Sequence, residues 1–270
     1  MSVINVNDVS VAYQDQVILQ NVSMQIPAGQ VTSIIGANGS GKSTLLKTVA
    51  GLLQPKSGEV LLDGKNLSTY KKKVLAQKVG LLPQALHVPS QIRVSELVAR
   101  GRYPYQKMFA DYTAEDYEKI QWAMDMTRIS ELADHFVSEL SGGQQQRVWI
   151  ALVLAQDTDI LLLDEPTTYL DLSYQIELLD LLIDLNRDFQ KTIVMVLHDI
   201  NLAARYSHYL YVLKNGRPIA DGSPNEILSQ KLMSDAFALN TVMYQDSVSG
   251  QPYMVPVSRH DQGENRAFSE

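Results

Sequence analysis

The sequence predicts an α/β protein whose core is interrupted by a helical insertion, and three observations support this fold class. Short β-branched runs alternate with amphipathic helical patterns in the first and last thirds of the chain. One run, Val31–Ile35, leads through a glycine-rich turn into a helical stretch at Ser43–Ala50. From about Val94 to Gln156 the pattern is helical, with no convincing strand. An α/β core split by a helical insertion accounts for all three.

The first third of the chain predicts mainly short strands. Polarity alternates along Val3–Val6, Val9–Tyr13, Val17–Leu19 and Val22–Ile26, with breaks expected at Asn7–Asp8, Gln14–Gln16 and Pro27–Gly29. Two further strands, each bounded by turn residues, are expected at Val60–Leu62 and Val79–Leu82.

The rest of the chain returns to alternating elements after the helical insertion. Within that insertion, Thr113 followed by Asp116 predicts a helix start, with Tyr117, Ile120 and Met124 on one face. Beyond it we expect strands at Ile160–Leu163 and Thr192–Leu197, helices at Leu172–Arg187 and Asn201–Tyr206, and a hairpin of Leu210–Leu213 and Arg217–Ala220 around Asn215–Gly216. The apolar stripe of the first helix is predicted at Leu172, Ile176, Leu179 and Ile183. The predicted organisation is a single domain over 1–257, with its core at 1–86 and 157–245, the insertion at about 87–156 and a polar tail at 258–270.

Composition narrows the classes of function. A net charge of -7 and a pI near 5.3 argue against a broad nucleic-acid-binding surface, so no nucleic-acid partner is expected. The absence of cysteine excludes disulfides and thiolate metal sites. The first residues lack the pattern of a secretion signal, and the longest apolar run, Val148–Ala155, falls short of the roughly 20 residues that span a bilayer. If the protein works at a membrane, we expect another chain to supply the spanning helices.

The segment GANGSGKST predicts a phosphate-binding loop between a strand and a helix. Its glycines permit unusual backbone angles and let backbone N–H groups converge on phosphate oxygens near the positive end of the helix dipole. We expect Lys42 to reach the β- and γ-phosphates and Ser43 to offer its hydroxyl to Mg²⁺. The residues of this loop are Gly36, Ala37, Asn38, Gly39, Ser40, Gly41, Lys42, Ser43 and Thr44. An incidental glycine-rich turn is the alternative, but a pattern this long in this context favours nucleotide binding.

Two predicted strands end in side chains that suit phosphate chemistry. The run Ile160–Leu163 is followed by Asp164 and Glu165, and Thr192–Leu197 is followed by His198. Because ligands bind at the carboxyl ends of parallel strands, these groups belong near the phosphate-binding loop. Asp164 suits the Mg²⁺ sphere, and Glu165 can orient or deprotonate a water. Taken alone, an acid pair at a strand end is as readily explained by contact with solvent, and a histidine at a strand end is usually a structural residue.

LSGGQ, at Leu140–Gln144, places small residues before an amphipathic helix, and it completes a set of motifs that resembles the ABC ATPase family. The resemblance runs from about Ile4 to Val257. GANGSGKST resembles the Walker A loop, ILLLDE the Walker B strand with its catalytic glutamate, and LSGGQ the signature motif. Gln84 is similar to the Q-loop glutamine, which adds it to the catalytic and metal-binding candidates; Asp171 resembles the D-loop residue, His198 the switch histidine, and Tyr13 the aromatic that stacks on adenine.

The family implies a P-loop NTPase core with an N-terminal antiparallel β-subdomain and an inserted α-helical subdomain. It also implies ATP and Mg²⁺ as ligands and a homodimer with two nucleotides at its interface. Each nucleotide would lie between the Walker A loop of one chain and Ser141, Gly142, Gly143 and Gln144 of the other. A polytopic permease would dock near Gln84, with an extracytoplasmic binding protein acting indirectly. The expected location is the cytoplasmic face of the membrane, as a peripheral subunit.

A finer resemblance is to the ATPases of iron–siderophore importers, whose branch includes those for cobalamin and haem. It rests on GRYPY (Gly101–Tyr105), LAQDTDILLLDEPTTYLDL (Leu154–Leu172), LHDINLAARY (Leu197–Tyr206) and SVSGQPYMVPV (Ser247–Val257). Thr168, Tyr169 and Gln145 depart from the broad family pattern, and the first two agree with the siderophore branch.

Other classes remain open at this point. A soluble ABC clamp acting on ribosomes or DNA usually carries two cassettes or a long coiled coil, and this chain has neither. A small-molecule P-loop kinase would not need LSGGQ, and a binding-only ATP sensor would not need both Glu165 and His198.

Overall fold

The computed structural model describes residues 2–84, 91–107, 110–168 and 170–258. Its strands are β1 (Ser2–Tyr13), β2 (Gln16–Pro27), β3 (Val31–Gly36), β4 (Ser57–Leu62), β5 (Lys65–Asn66), β6 (Val79–Leu82), β7 (Ile160–Asp164), β8 (Thr192–Val196), β9 (Tyr209–Lys214), β10 (Arg217–Gly222), β11 (Thr241–Gln245) and β12 (Pro252–Pro256). Its helices are α1 (Lys42–Val49), α2 (Lys72–Ala76), α3 (Val94–Ala99), α4 (Ala114–Met126), α5 (Gly142–Ala155), α6 (Leu172–Phe189), α7 (Ile200–Tyr206), α8 (Pro224–Ile227) and α9 (Gln230–Phe237). Short 3-10 helices occupy Leu67–Thr69, Arg100–Arg102, Ser130–Leu132 and Val137–Glu139.

The strands that position the site form one mostly parallel sheet. In the described parts of the chain its order is β10-β9-β3-β8-β7-β6, and the antiparallel β9–β10 hairpin closes one edge. Neighbouring strands from β9 to β6 run parallel. The carboxyl ends of β3, β6, β7 and β8 therefore meet at one edge, where ligands bind in sheets of this kind. The α/β fold class is confirmed.

Successive side chains of β7 point to opposite faces of this sheet, and each face is covered by its own apolar cluster. Leu161 and Leu163 belong to one buried cluster, formed with helices α3 to α7 and α9, whereas Ile160 and Leu162 belong to the other, formed with α1 and the N-terminal strands. A strand buried on both faces is expected to be apolar throughout, and every residue of β7 is buried. This explains why the run is continuous up to the acids at its end.

The N-terminal strands form a second, antiparallel sheet in the order β2-β1-β4-β5, as the family resemblance implied. The prediction of a break at Asn7–Asp8 is wrong, because β1 continues through a bulge there. Asp8 adopts a left-handed φ of 48°, and Ser23 bridges to its backbone N–H and its carboxylate. Likewise Asn21, with φ 48°, is bonded to the hydroxyl of Ser10, so Val17–Leu19 and Val22–Ile26 belong to one strand. A bulge absorbs an extra residue without ending the pairing.

Helices α3, α4 and α5 pack together in the interval predicted to be helical, and no described residue there belongs to a strand. The predicted start of α4 is confirmed, since the Thr113 hydroxyl accepts from Asp116 N and the Asp116 carboxylate accepts from Thr113 N. Ile120 and Met124 are buried, but Tyr117 is 61% exposed, so its assignment to the buried face is wrong. Its ring instead meets that of Tyr112 edge-on.

The predicted apolar stripe of α6 is also partly wrong. Leu179 is fully buried as expected, whereas Leu172 is 68% exposed. The helix carries a second stripe at i, i+4 and i+7, formed by Leu178, Leu182 and Leu185, and this one is buried. Ile176 and Ile183 are half-buried against the same core, so the buried face of α6 includes parts of both stripes and Leu172 lies outside it.

The end of the chain contains elements that the sequence did not predict. Helices α8 and α9 follow β10, and β11 and β12 then pair as a separate two-stranded hairpin that packs beside α7. Most of the predicted polar tail, like Tyr169 and the predicted boundary at 86–87, lies outside the described residues. In the ranges that are described, no helix has both the length and the apolar character that crossing a bilayer requires.

Candidate nucleotide-binding site

The phosphate-binding loop connects β3 to α1 in a conformation that its glycines make possible. Gly39 and Gly41 have φ values of 76° and 100°, in the left-handed region that side chains disfavour. A Cβ on Gly41 would approach the Leu19 side chain to 2.7 Å, whereas the space around the Cα of Gly39 is open. The loop is thus packed on one side against β2 and free on the other, where a ligand can approach its backbone.

Lys42 begins α1 and folds back over the loop. Its Nζ donates to the carbonyl oxygens of Gly36, at 2.9 Å, and Ala37, at 3.1 Å. Burial lowers the pKa of the Lys42 ammonium, although the carboxylates of Glu165 and Asp164 act in the opposite direction. A cation held beside the loop by two neutral acceptors can transfer to phosphate oxygens with a modest movement.

Ser43 and Asp164 bring a hydroxyl and a carboxylate together at the sheet edge. The Ser43 Oγ donates to the Asp164 Oδ1 at 2.8 Å, although 121 positions separate the two residues. The other oxygen, Oδ2, is buried and has no hydrogen-bond partner among the described residues. Burial raises the pKa of the Asp164 carboxyl, an effect that the Ser43 hydrogen bond only partly offsets. An orphaned, buried carboxylate oxygen beside a hydroxyl fits a hard divalent cation, which takes oxygen ligands and retains waters.

Glu165 is the centre of a polar cluster beyond the end of β7. Its φ of 54° turns the chain sharply after the strand, a strained conformation of the kind that gathers at functional sites. One carboxylate oxygen, Oε1, lies 2.7 Å from His198 Nε2. The other, Oε2, accepts from Gln84 Nε2 at 2.6 Å and from the Thr168 hydroxyl at 3.2 Å. The structure therefore brings together the three residues that the sequence nominated for catalysis.

Lys42, Ser43, Gln84, Glu165 and His198 line one open cleft of about 560 Å³, a volume in the range that small-molecule sites occupy, and Asp164 is not among its lining residues. Of the predicted site residues, Asn38, Gly39, Gly41, Lys42, Ser43, Thr44, Gln84, Glu165 and His198 line it. Gln16 and Ile18 of β2 also line it, and sequence reasoning missed them. Tyr13 lies just before them at the β1–β2 turn, where it pairs with Gln16 and is 47% exposed, and it is not part of the cleft wall.

A third residue that sequence reasoning missed, Gly216, contacts the loop on the side away from the cleft. Its N–H donates to Ser40 O at 3.0 Å, and its carbonyl accepts from Gln20 N at 2.9 Å. A Cβ at this position would lie 2.1 Å from Ile18 O, so only glycine fits between the hairpin turn and β2. The Asn215–Gly216 signal had predicted the turn but not its contact with the phosphate-binding loop.

The signature segment and Asp171 lie apart from this cleft within the chain. Ser141 caps α5, accepting from Gln144 N, while Gln144 Oε1 accepts from Ser141 N. Both Ser141 and Gly142 are exposed, and the Cα of Gly143 faces the Tyr174 ring. Asp171 similarly caps α6, where its carboxylate accepts from Tyr174 N at 3.1 Å. One chain therefore presents two loops rich in small residues at helix N-termini, and only the first lines the cleft.

Comparison with known proteins agrees with this geometry. The model of the family described as "ABC transporter" matches residues 19–168, which is more than half of the 270 residues. The chain belongs to this family, as an ATP-binding cassette that hydrolyses ATP.

Known relatives indicate which branch of the ABC transporter family this chain resembles. The chain is 47% identical to the "Ferric enterobactin transport ATP-binding protein FepC" of Escherichia coli (strain K12), over 93% of this chain and 92% of that protein. It is 46% identical to the "Probable siderophore transport system ATP-binding protein YusV" of Bacillus subtilis (strain 168), over 96% and 94% of the two chains. Among solved structures, the dimeric bacterial ABC transporter cassette MJ0796 superposes with a TM-score of 0.72, at 32% identity, covering 82% of this chain and 98% of that one.

Proposed function

We propose that the chain energises import of an iron–siderophore complex by hydrolysing ATP on behalf of a membrane permease. Two relatives at 46% and 47% identity are named for siderophore and ferric enterobactin transport, and each aligns over more than nine-tenths of this chain. The observation that carries the hydrolytic role is the contact of Glu165 with His198 and Gln84 beside the Ser43–Asp164 pair.

In this proposal the triphosphate lies on the phosphate-binding loop. Backbone N–H groups around Gly39 and Gly41, together with Lys42, bind its β- and γ-phosphates. Mg²⁺, held by Ser43 and Asp164 and approached by the Gln84 amide oxygen, would neutralise phosphate charge. Glu165 orients and deprotonates the attacking water, and His198 holds the carboxylate and the water in place. Tyr13 remains a proposed adenine contact from the rim of the cleft.

A second copy of the chain completes the site in this proposal. Ser141, Gly142, Gly143 and Gln144 of that copy cap the γ-phosphate, and Asp171 lies at the same interface. The exposure of the signature segment away from its own cleft supports this arrangement, as does the dimeric state of the MJ0796 cassette. The two faces differ in sequence but are exchanged by a two-fold axis, so the assembly closes as a dimer. The helical insertion would then move with nucleotide binding, and Gln84 would link it to the permease.

Replacement of Glu165 by Gln tests the hydrolytic role. We expect ATP binding to be retained and steady-state hydrolysis to fall by about 10²–10⁴-fold, because a positioned general base contributes on that scale. The dimer should also persist in Mg–ATP, as measured by light scattering during size-exclusion chromatography. Glu131→Gln, at an exposed position outside the cleft, is the control and should hydrolyse ATP normally. Near-normal turnover of Glu165→Gln would remove Glu165 from its role.

The cargo class is tested separately, in cells that lack the chain. Growth on individual iron–siderophores, on cobalamin and on haem should fail only for siderophores. A defect confined to cobalamin or haem would reassign the cargo while leaving the ATPase role intact. Co-purification with ribosomes or DNA instead of a polytopic membrane protein would favour the soluble clamp.

A further inference from the structure

Two side chains of α7 contact the C-terminal hairpin of β11 and β12. Arg205 Nη1, near the end of the helix, lies 3.9 Å from Asp246 Oδ2, and Asn201, near its start, forms paired hydrogen bonds with Met254. The Asn201 Oδ1 accepts from Met254 N at 2.7 Å, and its Nδ2 donates to Met254 O at 3.0 Å. The side-chain amide of Asn201 thus hydrogen-bonds both the backbone N–H and the backbone C=O of Met254, as a neighbouring strand would. These paired bonds join α7 to β12. Both bonds are partly buried.

This pairing lies one helical turn from the cleft. Asn201 is in the first turn of α7, Asp199 caps that helix by accepting from Leu202 N at 2.9 Å, and His198 directly precedes the cap. The far end of α7 is held separately, since the Tyr206 hydroxyl bonds to Asp180 of α6 at 3.0 Å. Asn201 thus fixes the N-terminal end of α7, which directly follows His198 and Asp199 in the chain.

We propose that Asn201 is a positioning residue for His198 and that the C-terminal hairpin serves as its anchor. The imidazole of His198 is 45% exposed, and its contact with Glu165, at 2.7 Å, is made from a short segment between β8 and α7. An exposed side chain on such a segment keeps its geometry only if the backbone beneath it is held. The hairpin supplies this support through Asn201, which hydrogen-bonds Met254 and is not among the described residues that line the cleft.

The inference rests on the proposed role of His198 in hydrolysis and predicts a specific kinetic pattern. Asn201→Ala should lower kcat by about fivefold or more, because a misplacement of a catalytic group by about 1 Å can cost about 10²-fold and a smaller shift costs correspondingly less. KM for ATP should change less than about twofold, since the groups that bind phosphate are untouched. Asn201→Asp retains only the acceptor for Met254 N and should give an intermediate kcat.

The chain offers a matched control on the same hairpin. Asn225 of α8 donates to Gln251 at 3.1 Å, in the loop between β11 and β12, and it lies outside the cleft. Asn225→Ala therefore removes an asparagine contact to the hairpin without touching α7, and its kcat should match that of the wild type. A loss in Asn225→Ala equal to that in Asn201→Ala would overturn the proposal, because general loosening of the hairpin would then explain both.

A double-mutant cycle with His198→Ala separates positioning from stability. If Asn201 acts through His198, Asn201→Ala should cost nothing further in the His198→Ala background. Additive losses in the double variant would overturn the proposal, and so would wild-type kcat in Asn201→Ala itself. Normal hydrolysis by His198→Ala alone would instead refute the role proposed for His198, an outcome that the single variants distinguish. The melting temperature of each variant is measured alongside, so that only folded proteins are compared.

Discussion

The buried ion pair between Arg102 and Asp116 offers a quantitative test of how the helical region is held together. Arg102 Nε lies 2.7 Å from Asp116 Oδ1, and the side chains are only 3% and 7% exposed. The guanidinium also donates to Ala155 O at 3.0 Å, at the end of α5, and stacks on the Tyr105 ring at 4.0 Å. Arg102→Met retains much of the apolar volume but removes every one of these polar contacts.

The cost of this substitution follows from what remains buried. Asp116 would keep its hydrogen bonds from Thr113 but lose the guanidinium that neutralises its charge, and the Ala155 carbonyl would lose a donor. Removing one partner of a buried pair typically costs about 3–5 kcal/mol, because the other charge stays desolvated. At about 2–3 °C per kcal/mol for a chain of this size, the melting temperature should fall by about 6–15 °C.

Thermal and urea unfolding, followed by circular dichroism, measure this loss. Lys78→Met is the control, since the Lys78–Asp63 pair has a similar 2.8 Å separation but side chains that are 41% and 46% exposed. Exposed pairs contribute about 0–1 kcal/mol, so this variant should melt within about 3 °C of the wild type. Equal decreases in melting temperature for Arg102→Met and Lys78→Met would refute the reasoning, because burial would then have no effect on how much an ion pair contributes to stability.

The Arg102–Asp116 pair also determines the direction in which the stability of the protein changes at acid pH. Burial acts to raise the pKa of the Asp116 carboxyl, but hydrogen bonds from Thr113 and Arg102 outweigh it, and the pKa lies below its ordinary value. A depressed folded-state pKa stabilises the protein above the unfolded pKa, near 4, and this stability is lost as pH falls through the folded value. In Arg102→Met we expect acid unfolding to begin at a higher pH than in the wild type.

Two further predictions concern the phosphate-binding loop. Lys42→Ala should weaken binding of a fluorescent ATP analogue by at least about tenfold while leaving the fold intact, because phosphate charge loses its nearest cation; unchanged affinity would count against the loop as the phosphate site. Gly216→Ala should destabilise the protein by about 2–4 kcal/mol, the sum of a left-handed φ of 74° and a 2.1 Å approach to Ile18 O. Gly64→Ala, with φ 75° but open space around it, should cost only about 1–2 kcal/mol, and an equal cost at both positions would exclude the steric argument.

The neighbourhood of several site residues was predictable because these residues come at or just after the ends of apolar strands. Asp164, Glu165 and His198 each come directly after or close to the end of an apolar run that reads as a buried strand, and parallel strands bring such positions to one edge. The glycine-rich loop marks the same edge from β3. Local sequence therefore predicted that these groups lie near the loop, whereas the roles proposed for them, and the inclusion of Gln84, came from the resemblance to the ABC ATPase family.

What the sequence did not predict depends on partners far along the chain. The bulge at Asp8 is stabilised by Ser23, and neither residue differs from one expected at a strand break. On α6 the apolar pattern did not show that Leu172 stays exposed while Leu178, Leu182 and Leu185 are buried in the core. Periodicity can show that a face is available for burial, but only the packing partner decides whether it is used.

The residues that support the site show why sequence motifs identify the groups that line it but not the residues that hold those groups in position. Gly216 supports the phosphate-binding loop through backbone groups and the absence of a Cβ, and Asn201 supports α7 through one amide paired with a strand 53 residues away. Neither contact requires a charged or nucleophilic side chain, so neither leaves a chemical signature in a pattern of residue types. Glu165 and His198 can be recognised by the chemistry that their side chains offer to a phosphate, whereas the roles proposed for Gly216 and Asn201 depend only on how they hold neighbouring residues in place. Their importance should accordingly appear in stability and in kcat, with nucleotide affinity changed least for Asn201, which is the more remote from the loop.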